Sequence, residues 1–563
     1  MLLGCDGRNG ARVPDAGSTS TVTPGPSELV LIHTADLHSH VFAEPTLISK
    51  ADAARGLGTD GEVDAVGGLA RIATLVRSVR QNAAHSLYLD SGDLIEGTAV
   101  FTAFGGEPEM RAMSALEPDA VALGNHDLDP GPAEFVDKHQ RFAKFPVLAA
   151  NYGAPGTAFG RSFGASLTLN ANGVRVGVIG VANSTSPGGL ADADNPYGIV
   201  LAPTASAVQA AIDALRPSVD VVVAITHLGL DADEALISAT TGLDVVLGGH
   251  QHLTLDAPLE RMDCGAALRA ERGCAPRRVV LVHSGALGRY VGRVTLSLAP
   301  TTGISESGAL DGLEVVSAEH ALLPVTAAVP EDPALAALLE PYRARLTAAG
   351  FDVPVAFARG PVERYGATGG DSPLGNLIAD ALRARSGADF ALLNTTGIRA
   401  DLPPGVLARS AFVSALPFAD TLSLLSLTGA QLGALLDRQA QVAKSRGCQS
   451  PVQISGFTWR IACPAGGAAA VSLVDVGAAA AGELQPLDPH ATYSLVTTDY
   501  LADGGSGFEV LTEANARREL ETDPLDVVLD AVRALPVCPE STLPCLDPGV
   551  LRDARINVAA GAQ

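Results

Sequence analysis

The sequence predicts an α/β protein with two domains, and three observations support this prediction. The chain has 563 residues, which is more than one hydrophobic core usually holds. Short apolar runs alternate with alanine-rich helical patterns such as residues 67–83, as in βα units. A helical pattern at 330–349 separates two such regions, with acids early and arginines late, as the helix dipole favours.

Residues 1–27 are predicted to be a signal remnant followed by a flexible tether rich in Gly, Pro, Ser and Thr. The opening MLLGC is similar to the end of a bacterial lipoprotein signal, in which the cysteine is acylated. The charged and apolar regions of such a signal do not precede it here, so an acylated Cys5 and an accidental match both stay open. An acylated Cys5 would attach an exported, periplasmic or cell-envelope lipoprotein to the membrane.

The folded part is predicted to comprise a first domain at 28–325, an interdomain helix at 326–352 and a second domain at 353–558. In the second domain, residues 372–387 carry a helical pattern, and residues 388–399 indicate a strand that runs into a loop.

The balance of 38 basic and 62 acidic residues gives a formal charge of -24. Such a chain repels nucleic acid, and it contains no basic run to offset the repulsion, so we expect no nucleic-acid partner. A small anionic substrate stays compatible with this charge, because bound metal ions can invert the local sign.

The cysteines after Cys5 fall into three close pairs, which favours local disulfides and an oxidising compartment. The sequence does not choose among the 15 connectivities that six cysteines allow. The pairs are Cys264 and Cys274, Cys448 and Cys463, and Cys538 and Cys545.

Metal-ligating side chains follow the apolar runs of the first domain. The motifs are TADLHSH with Asp36 and His38, SGDL with Asp93, GNHD with Asn125 and His126, THLG with His227, and GGHQH with His250 and His252. Each alone is weak evidence, since a lone histidine after a strand is usually a loop or core residue. Together they are expected at one edge of a parallel sheet, where ligands of α/β proteins gather.

In this motif set the chain resembles the calcineurin-like metallophosphatases, and specifically the 5'-nucleotidase family, over residues 28 to 558. The resemblance implies a four-layer αββα metallophosphatase domain, a linker helix and a C-terminal α/β nucleotide-binding domain. It also implies two divalent metal ions, for which this ligand chemistry admits Zn, Mn, Co or Fe. Asp36, His38 and His252 would hold one ion, Asn125, His227 and His250 the other, and Asp93 would bridge them.

The resemblance also implies a catalytic pair, in which His126 faces the substrate phosphate and Asp129 orients it. The expected chemistry is in-line hydrolysis at phosphorus without a covalent phosphoenzyme. We expect Asp127 to be a solvated neighbour of this pair and His40 to be no ligand.

In the second domain, the resemblance gives Asn394 and Arg399 contacts to phosphate, sugar or base, and it places the base between the rings of Phe418 and Tyr500. The alternative is that both rings belong to the core. Three departures put ribose recognition in question: TTGIR replaces the usual GGGIR, Asp420 stands where small or amide residues are common, and Ser506 replaces an aspartate that binds ribose.

The sequence therefore predicts an exported phosphohydrolase acting on a small phosphoester, with nucleoside 5'-monophosphates as leading substrates and cyclic nucleotides or nucleotide sugars as further ones. One alternative is a related two-metal hydrolase with a non-nucleotide substrate, such as a thiosulfohydrolase. Another is a non-catalytic binding protein on the same scaffold. The sequence does not indicate the oligomeric state, and a hinge between the domains is expected from the resemblance alone.

Overall fold

The structure is a computed structural model that describes residues 28–184, 195–300, 313–464, 471–476 and 485–560. Cys5 and the predicted tether lie outside the described residues.

Two mixed β-sheets form the centre of the first domain. In spatial order, the first sheet contains Leu313–Pro324, Tyr290–Pro300, Glu28–Thr34, Ser86–Asp90, Ala120–Ala122, Val147–Leu148 and Phe163–Gly164. The second contains Leu259–Met262, Arg278–His283, Val245–Gly248, Val221–Thr226, Val174–Val181 and Ser166–Ala171. The strands that precede the predicted site motifs run parallel to one another within each sheet, and Glu28–Thr34 also pairs in the antiparallel direction with Tyr290–Pro300.

The period-two alternation of apolar side chains places one core between the sheets and one outside each. On Glu28–Thr34, for example, Leu29 and Leu31 pack between the sheets, whereas Val30 and Ile32 pack against the outer helices. Helices Leu69–Asn82, Glu107–Leu116 and Pro132–Phe142 cover the first sheet, and Thr204–Leu215 and Leu230–Ala239 cover the second. The predicted αββα arrangement is confirmed.

Shorter elements complete this domain. They are the helices Lys50–Ala54, Ala99–Phe104, Ala158–Ser162 and Ala266–Arg272, and the two-stranded pairs Glu44–Leu47 with Val63–Val66 and Tyr152–Gly153 with Val200–Leu201.

The helix Pro333–Ala348 follows the first domain, and Asp332 caps it by accepting a hydrogen bond from the backbone N–H of Leu335. Leu335 and Leu339 are buried in the core outside the first sheet. Leu346 packs against both this core and the main core of the second domain. The helix therefore joins the two hydrophobic cores.

The second domain contains sheets of five, four and three strands. The five-stranded sheet contains Val452–Ser455, Phe390–Asn394, Thr492–Thr498, Leu422–Thr428 and Ala516–Glu519. The smaller sheets contain Gln485–Pro486, Val471–Val476, Phe457–Cys463 and Ile556–Ala560, and Gly405–Ala408, Pro354–Ala358 and Cys545–Leu546. The helices are Pro373–Ser386, Arg409–Ala415, Gly429–Ser445, Asp499–Ala502, Pro524–Arg533 and Pro548–Leu551.

The six cysteines in the folded domains form the local disulfides Cys264–Cys274, Cys448–Cys463 and Cys538–Cys545. Among the described residues, no helix has the length and apolar character needed to cross a membrane.

Candidate active site

The metal-ligand candidates lie in the loops that follow five central strands. Asp36, His38, Asp93 and Asn125 follow strands of the first sheet, whereas His227, His250 and His252 follow strands of the second. The expectation that a single sheet edge collects them is therefore wrong, because the ends of two face-to-face sheets contribute. The inter-sheet core holds both ends close together.

The first group consists of Asp36, His38 and His252, whose ligand atoms all lie within 4.8 Å of one another. Asp36 and His38 are buried, and His252 is partly buried. His38 Nδ1 lies 3.1 Å from the carbonyl oxygen of Glu96, to which it donates as N–H, so Nε2 is free of hydrogen. That Nε2 lies 3.0 Å from His252 Nε2, and the two lone pairs could bind one ion between them.

The second group consists of Asp93, His227 and His250, again with all ligand atoms within 4.8 Å. Asn125 Oδ1 lies 3.0 Å from His250 Nδ1, which brings the predicted amide ligand to the same place. This group has the mixed imidazole, carboxylate and amide chemistry that suits divalent transition metals.

The carboxylate of Asp93 reaches both groups. Its Oδ2 atom lies 2.9 Å from His227 Nε2 in the second group and 3.5 Å from His38 Nε2 in the first. Its Oδ1 atom accepts a hydrogen bond of 2.8 Å from the backbone N–H of His126. One carboxylate in this position could bridge two cations.

The surroundings of His227 provide a test of whether cations fit here. The fully buried ring donates from Nδ1 to the carbonyl oxygen of Ser91 at 2.7 Å, so in the neutral ring Nε2 carries the lone pair. Nε2 has no hydrogen-bond partner among the described residues, and it faces Asp93. Burial would lower the pKa of His227, but the Asp93 carboxylate raises it to about 10, so without a cation the carboxylate favours a second proton on Nε2, where an ion would otherwise bind. The site is therefore short of positive charge, which a metal ion would supply.

The backbone of these loops is strained at the ligand residues themselves. Positive φ angles occur at Asp36 (51°), His38 (44°), Asp93 (54°), His250 (78°) and His252 (55°). Non-glycine residues rarely adopt this left-handed conformation, which costs about 1–3 kcal/mol each. Strain concentrated in this way is typical of a functional site.

His126 and Asp129 form the predicted pair beside these groups. His126 Nδ1 lies 2.5 Å from Asp129 Oδ2, on the 3-10 helix His126–Leu128 and its C-cap. Burial would lower the pKa of His126, but the carboxylates of Asp129 and Asp93 raise it above its ordinary value. Its ring lies 5.3 Å from that of His38, so it borders the first group.

Two predicted residues of the second domain lie directly on these histidines. Arg399 Nη2 lies 3.2 Å from His38 Nε2. The ring of Phe418 stacks on His126 with a centroid distance of 5.6 Å and an interplanar angle of 28°. Residues of both domains thus border one site.

The remaining three predicted residues form a small polar cluster in the second domain. Ser506 Oγ lies 3.2 Å from the Tyr500 hydroxyl and 3.5 Å from Asn394 Nδ2. Tyr500 is 42% exposed and Phe418 is partly buried, so neither ring is a core aromatic.

Comparison with known proteins agrees with this two-part site. Residues 29–253 match the family described as calcineurin-like phosphoesterase, and residues 354–513 match the 5'-nucleotidase C-terminal domain. The chain therefore combines a calcineurin-like phosphoesterase domain with a 5'-nucleotidase C-terminal domain. It is a 5'-nucleotidase-like, metal-dependent phosphoester hydrolase.

Full-length relatives support the assignment. The chain is 25% identical to the 5'-nucleotidase of Bos taurus over 564 residues, covering 95% of this chain and 92% of the relative. The crystal structure of a 5'-nucleotidase precursor from Thermus thermophilus is 27% identical with a TM-score of 0.78, covering 95% of this chain and 100% of that one. The sulfate thiohydrolase SoxB of Thermus thermophilus shares the fold, at 18% identity and a TM-score of 0.69, covering 95% and 99%.

Asp127 corrects one expectation for this phosphoesterase site. It is not a solvated neighbour, because it is only 1% exposed. Its carboxylate accepts hydrogen bonds from the backbone N–H groups of Gly124 at 2.8 Å and Leu94 at 2.9 Å. Asp127 therefore ties the loop that carries Asp93 to the loop that carries Asn125.

Sequence reasoning also missed the groups that orient the ligand histidines. These are the carbonyl oxygens of Glu96, for His38, and of Ser91, for His227. Every residue has a carbonyl group, so no side-chain motif could reveal them. Each of these carbonyl groups lies in a different loop from its histidine, so only the folded structure shows the contact.

Proposed function

We propose that the protein is an exported hydrolase that releases phosphate from nucleoside 5'-monophosphates with the help of two divalent ions. The observation that carries this proposal is the contact of Arg399 and Phe418 with His38 and His126. A cation and a planar ring from the second domain stand beside the phosphoesterase residues of the first. A nucleotide offers a phosphate and a base to match them.

The ions are assigned to the two groups of ligand atoms. Asp36, His38 and His252 would hold one ion, Asn125, His227 and His250 would hold the other, and Asp93 would contribute to both. When bound, a pair of Zn, Mn, Co or Fe ions supplies Lewis-acid activation of water and neutralises charge on the phosphoryl oxygens.

His126 acts as a hydrogen-bond donor to the phosphoryl group. Asp129 accepts from Nδ1, which fixes the ring and leaves Nε2–H for the substrate. The raised pKa of His126 keeps this donor protonated nearer neutral pH. Charge that develops on the phosphoryl oxygens is stabilised by such a fixed donor.

The base and sugar are assigned to the second domain, proposed at 353–558 and joined to the first, 28–325, by the segment 326–352. The rings of Phe418 and Tyr500 stack on the base, which tolerates any base. Arg399 binds phosphate, and the neutral groups of Asn394 and Ser506 meet the sugar. This neutral cluster fits a range of nucleotides, including cyclic nucleotides and nucleotide sugars.

Export is supported by the three disulfides, because such bonds persist in oxidising compartments. Acylation of Cys5 would add membrane attachment. Metabolic labelling with a fatty-acid analogue, compared between the wild type and Cys5→Ser, tests this attachment.

A phosphate-release screen tests the function. Purified protein loaded with Mn, Zn or Co is given 5'-AMP, 2',3'-cyclic AMP, UDP-glucose and p-nitrophenyl phosphate, with an S-sulfonate assayed for sulfate in parallel. We expect the highest kcat/KM for 5'-AMP. Asp93→Asn is the matched control for contaminating phosphatase, since it weakens the bridging ligand. Higher kcat/KM for the simple phosphoester, or turnover of the S-sulfonate alone, would contradict the proposal.

A further inference from the structure

His33 is a fully buried histidine that the proposed chemistry does not use. It lies on the strand Glu28–Thr34, where the alternation that puts Leu29 and Leu31 between the sheets also puts His33 there. The same alternation brings Ser91 and Ser284 to the inner ends of their strands, after Leu89 and Val282. A polar layer thus closes the inter-sheet core at the end nearest the ligand groups.

Hydrogen bonds within this layer join the two sheets. His33 Nε2 lies 2.9 Å from Ser91 Oγ, and His33 Nδ1 lies 2.8 Å from Ser284 Oγ. Ser91 Oγ in turn donates to the carbonyl oxygen of Leu247, in the second sheet, at 2.8 Å. Both serines and His33 are at most 2% exposed, so water does not compete for these bonds.

The direction of each bond follows from the number of hydrogens available. Ser91 has a single hydroxyl hydrogen, which it donates to Leu247, so its oxygen accepts from His33 Nε2–H. Burial is the main cause that keeps the pKa of His33 well below its usual value, and the nearby His283 and His320 lower this pKa further. The ring is therefore neutral. Its Nδ1 therefore accepts from the hydroxyl of Ser284.

Ser91 connects this chain to the ligand group. Its backbone N–H donates to the carbonyl oxygen of Thr34 at 2.9 Å, and its own carbonyl oxygen accepts from His227 Nδ1–H at 2.7 Å. This last bond places the hydrogen of His227 on Nδ1 and leaves Nε2 facing Asp93. Partners of this kind orient metal-binding imidazoles in proteins.

We propose that His33 is a positioning residue for the ion site of His227: by fixing Ser91 between the two sheets, it sets the tautomer and the direction of the His227 ring. The inference rests on the proposed binding of an ion by His227, and it does not depend on the substrate. His33 itself touches neither the ions nor the substrate.

The test measures ion affinity rather than turnover. Metal-free wild type, His33→Leu, Ser91→Ala and Ser284→Ala are titrated with Mn²⁺ in competition with a chromophoric chelator, and bound metal is counted by mass spectrometry. We expect His33→Leu and Ser91→Ala to bind one of two ions about 10- to 100-fold more weakly, as loss of an orienting partner does. The double variant should lose no more than either single one, because both changes break the same link.

Ser284→Ala is the matched control. It removes a buried hydrogen bond from the other side of the same ring but leaves His33 Nε2 and Ser91 in contact, so near wild-type affinity is expected. His33→Gln, whose amide N–H can replace Nε2–H, should restore most of the affinity. If His33→Leu does not fold, Ser284→Ala, His33→Gln and Ser91→Ala still test the inference.

Two results would overturn the inference. One is wild-type affinity for both ions in folded His33→Leu or in Ser91→Ala. The other is an equal loss in Ser284→Ala, which would indicate general destabilisation instead of positioning. Absence of nucleotide turnover by the wild type would reject the proposed function alone, since these affinities are measured without substrate.

Discussion

At the scale of single residues, the site separates groups that could bind ions from a group that could donate to the phosphate. His126 is the proposed donor, and its only side-chain partner among the described residues at hydrogen-bond distance is Asp129, at 2.5 Å. The backbone N–H of His126 contacts Asp93, but its ring is not part of either ligand group. Its role can therefore be separated from metal binding.

We expect His126→Ala to lower kcat for 5'-AMP by about 100-fold or more, because one fixed donor to the transition state is lost. The backbone contact with Asp93 persists, so both ions should stay bound. Steady-state kinetics together with metal analysis of the same sample checks this. His85→Ala, at a ring bonded only to the carbonyl oxygen of Ala171 in the described structure, serves as the control. Unchanged kcat in a metal-replete His126→Ala protein would reject the role.

Where chemistry resides in side chains, the motifs indicated which residues would come together, and the resemblance implied how they would divide between two ions. The structure brings Asp36, His38 and His252 into one group and Asp93, His227 and His250 into another, and their role as ligands stays a prediction. Prediction from the sequence failed where burial decides the role of a residue. Asp127 looks like a surface acid in the sequence, yet it is buried because backbone N–H groups of two loops require its carboxylate.

At the scale of elements, the strands were predicted from their apolar runs, whereas the presence of two sheets was implied only by the family resemblance, and which strand joins which sheet was not predicted. Runs such as 86–90 and 221–226 have the same pattern, since each is buried on both faces. Their partners depend on contacts far apart in the sequence. A single sheet and a pair of stacked sheets therefore give the same local signal.

Close packing between the loop that carries Asp93 and the loop that follows Ala120–Ala122 requires a glycine at position 124. A Cβ on Gly124 would lie 2.1 Å from both the backbone nitrogen and Oδ1 of Asp93. We expect Gly124→Ala to displace Asp93, to weaken Mn²⁺ binding at least tenfold and to lower the melting temperature.

Gly433→Ala provides the control for this change. Gly433 lies within the helix Gly429–Ser445, and a Cβ there meets nothing within 4 Å. Alanine is favoured over glycine inside a helix by about 1 kcal/mol, so this variant should be as stable as the wild type or more so. Calorimetry and metal titration of both variants check the prediction, and equal Mn²⁺ affinity in the two would contradict it.

At the scale of the whole molecule, the ion groups should also determine stability. Asp36 and Asp93 are 1% exposed and belong to neighbouring groups, and burial raises the pKa of Asp36 to about 7. Buried carboxylates this close repel one another unless cations neutralise them. We therefore expect bound cations to stabilise the first domain.

We expect removal of metal with a chelator to lower the melting temperature of the first domain and addition of Mn²⁺ to restore it. A ligand at 100 times its dissociation constant stabilises the native state by about 2.7 kcal/mol. Differential scanning calorimetry at several Mn²⁺ concentrations measures the shift. Asp93→Asn should show a smaller dependence on Mn²⁺, and a melting temperature independent of chelator and Mn²⁺ would contradict the expectation.

The two domains meet at the site through Phe418, whose ring stacks on His126 across the interface. If this ring binds the base, Phe418→Ala removes stacking worth about 1–3 kcal/mol, and the KM for 5'-AMP should rise roughly 5- to 150-fold. Hydrolysis of p-nitrophenyl phosphate, which has no base, should keep its KM and so provides the internal control. Tyr500→Ala should show the same dependence on the base, because Tyr500 is assigned to the other face. An equal loss with both substrates would instead mean that Phe418 serves to hold His126 in place.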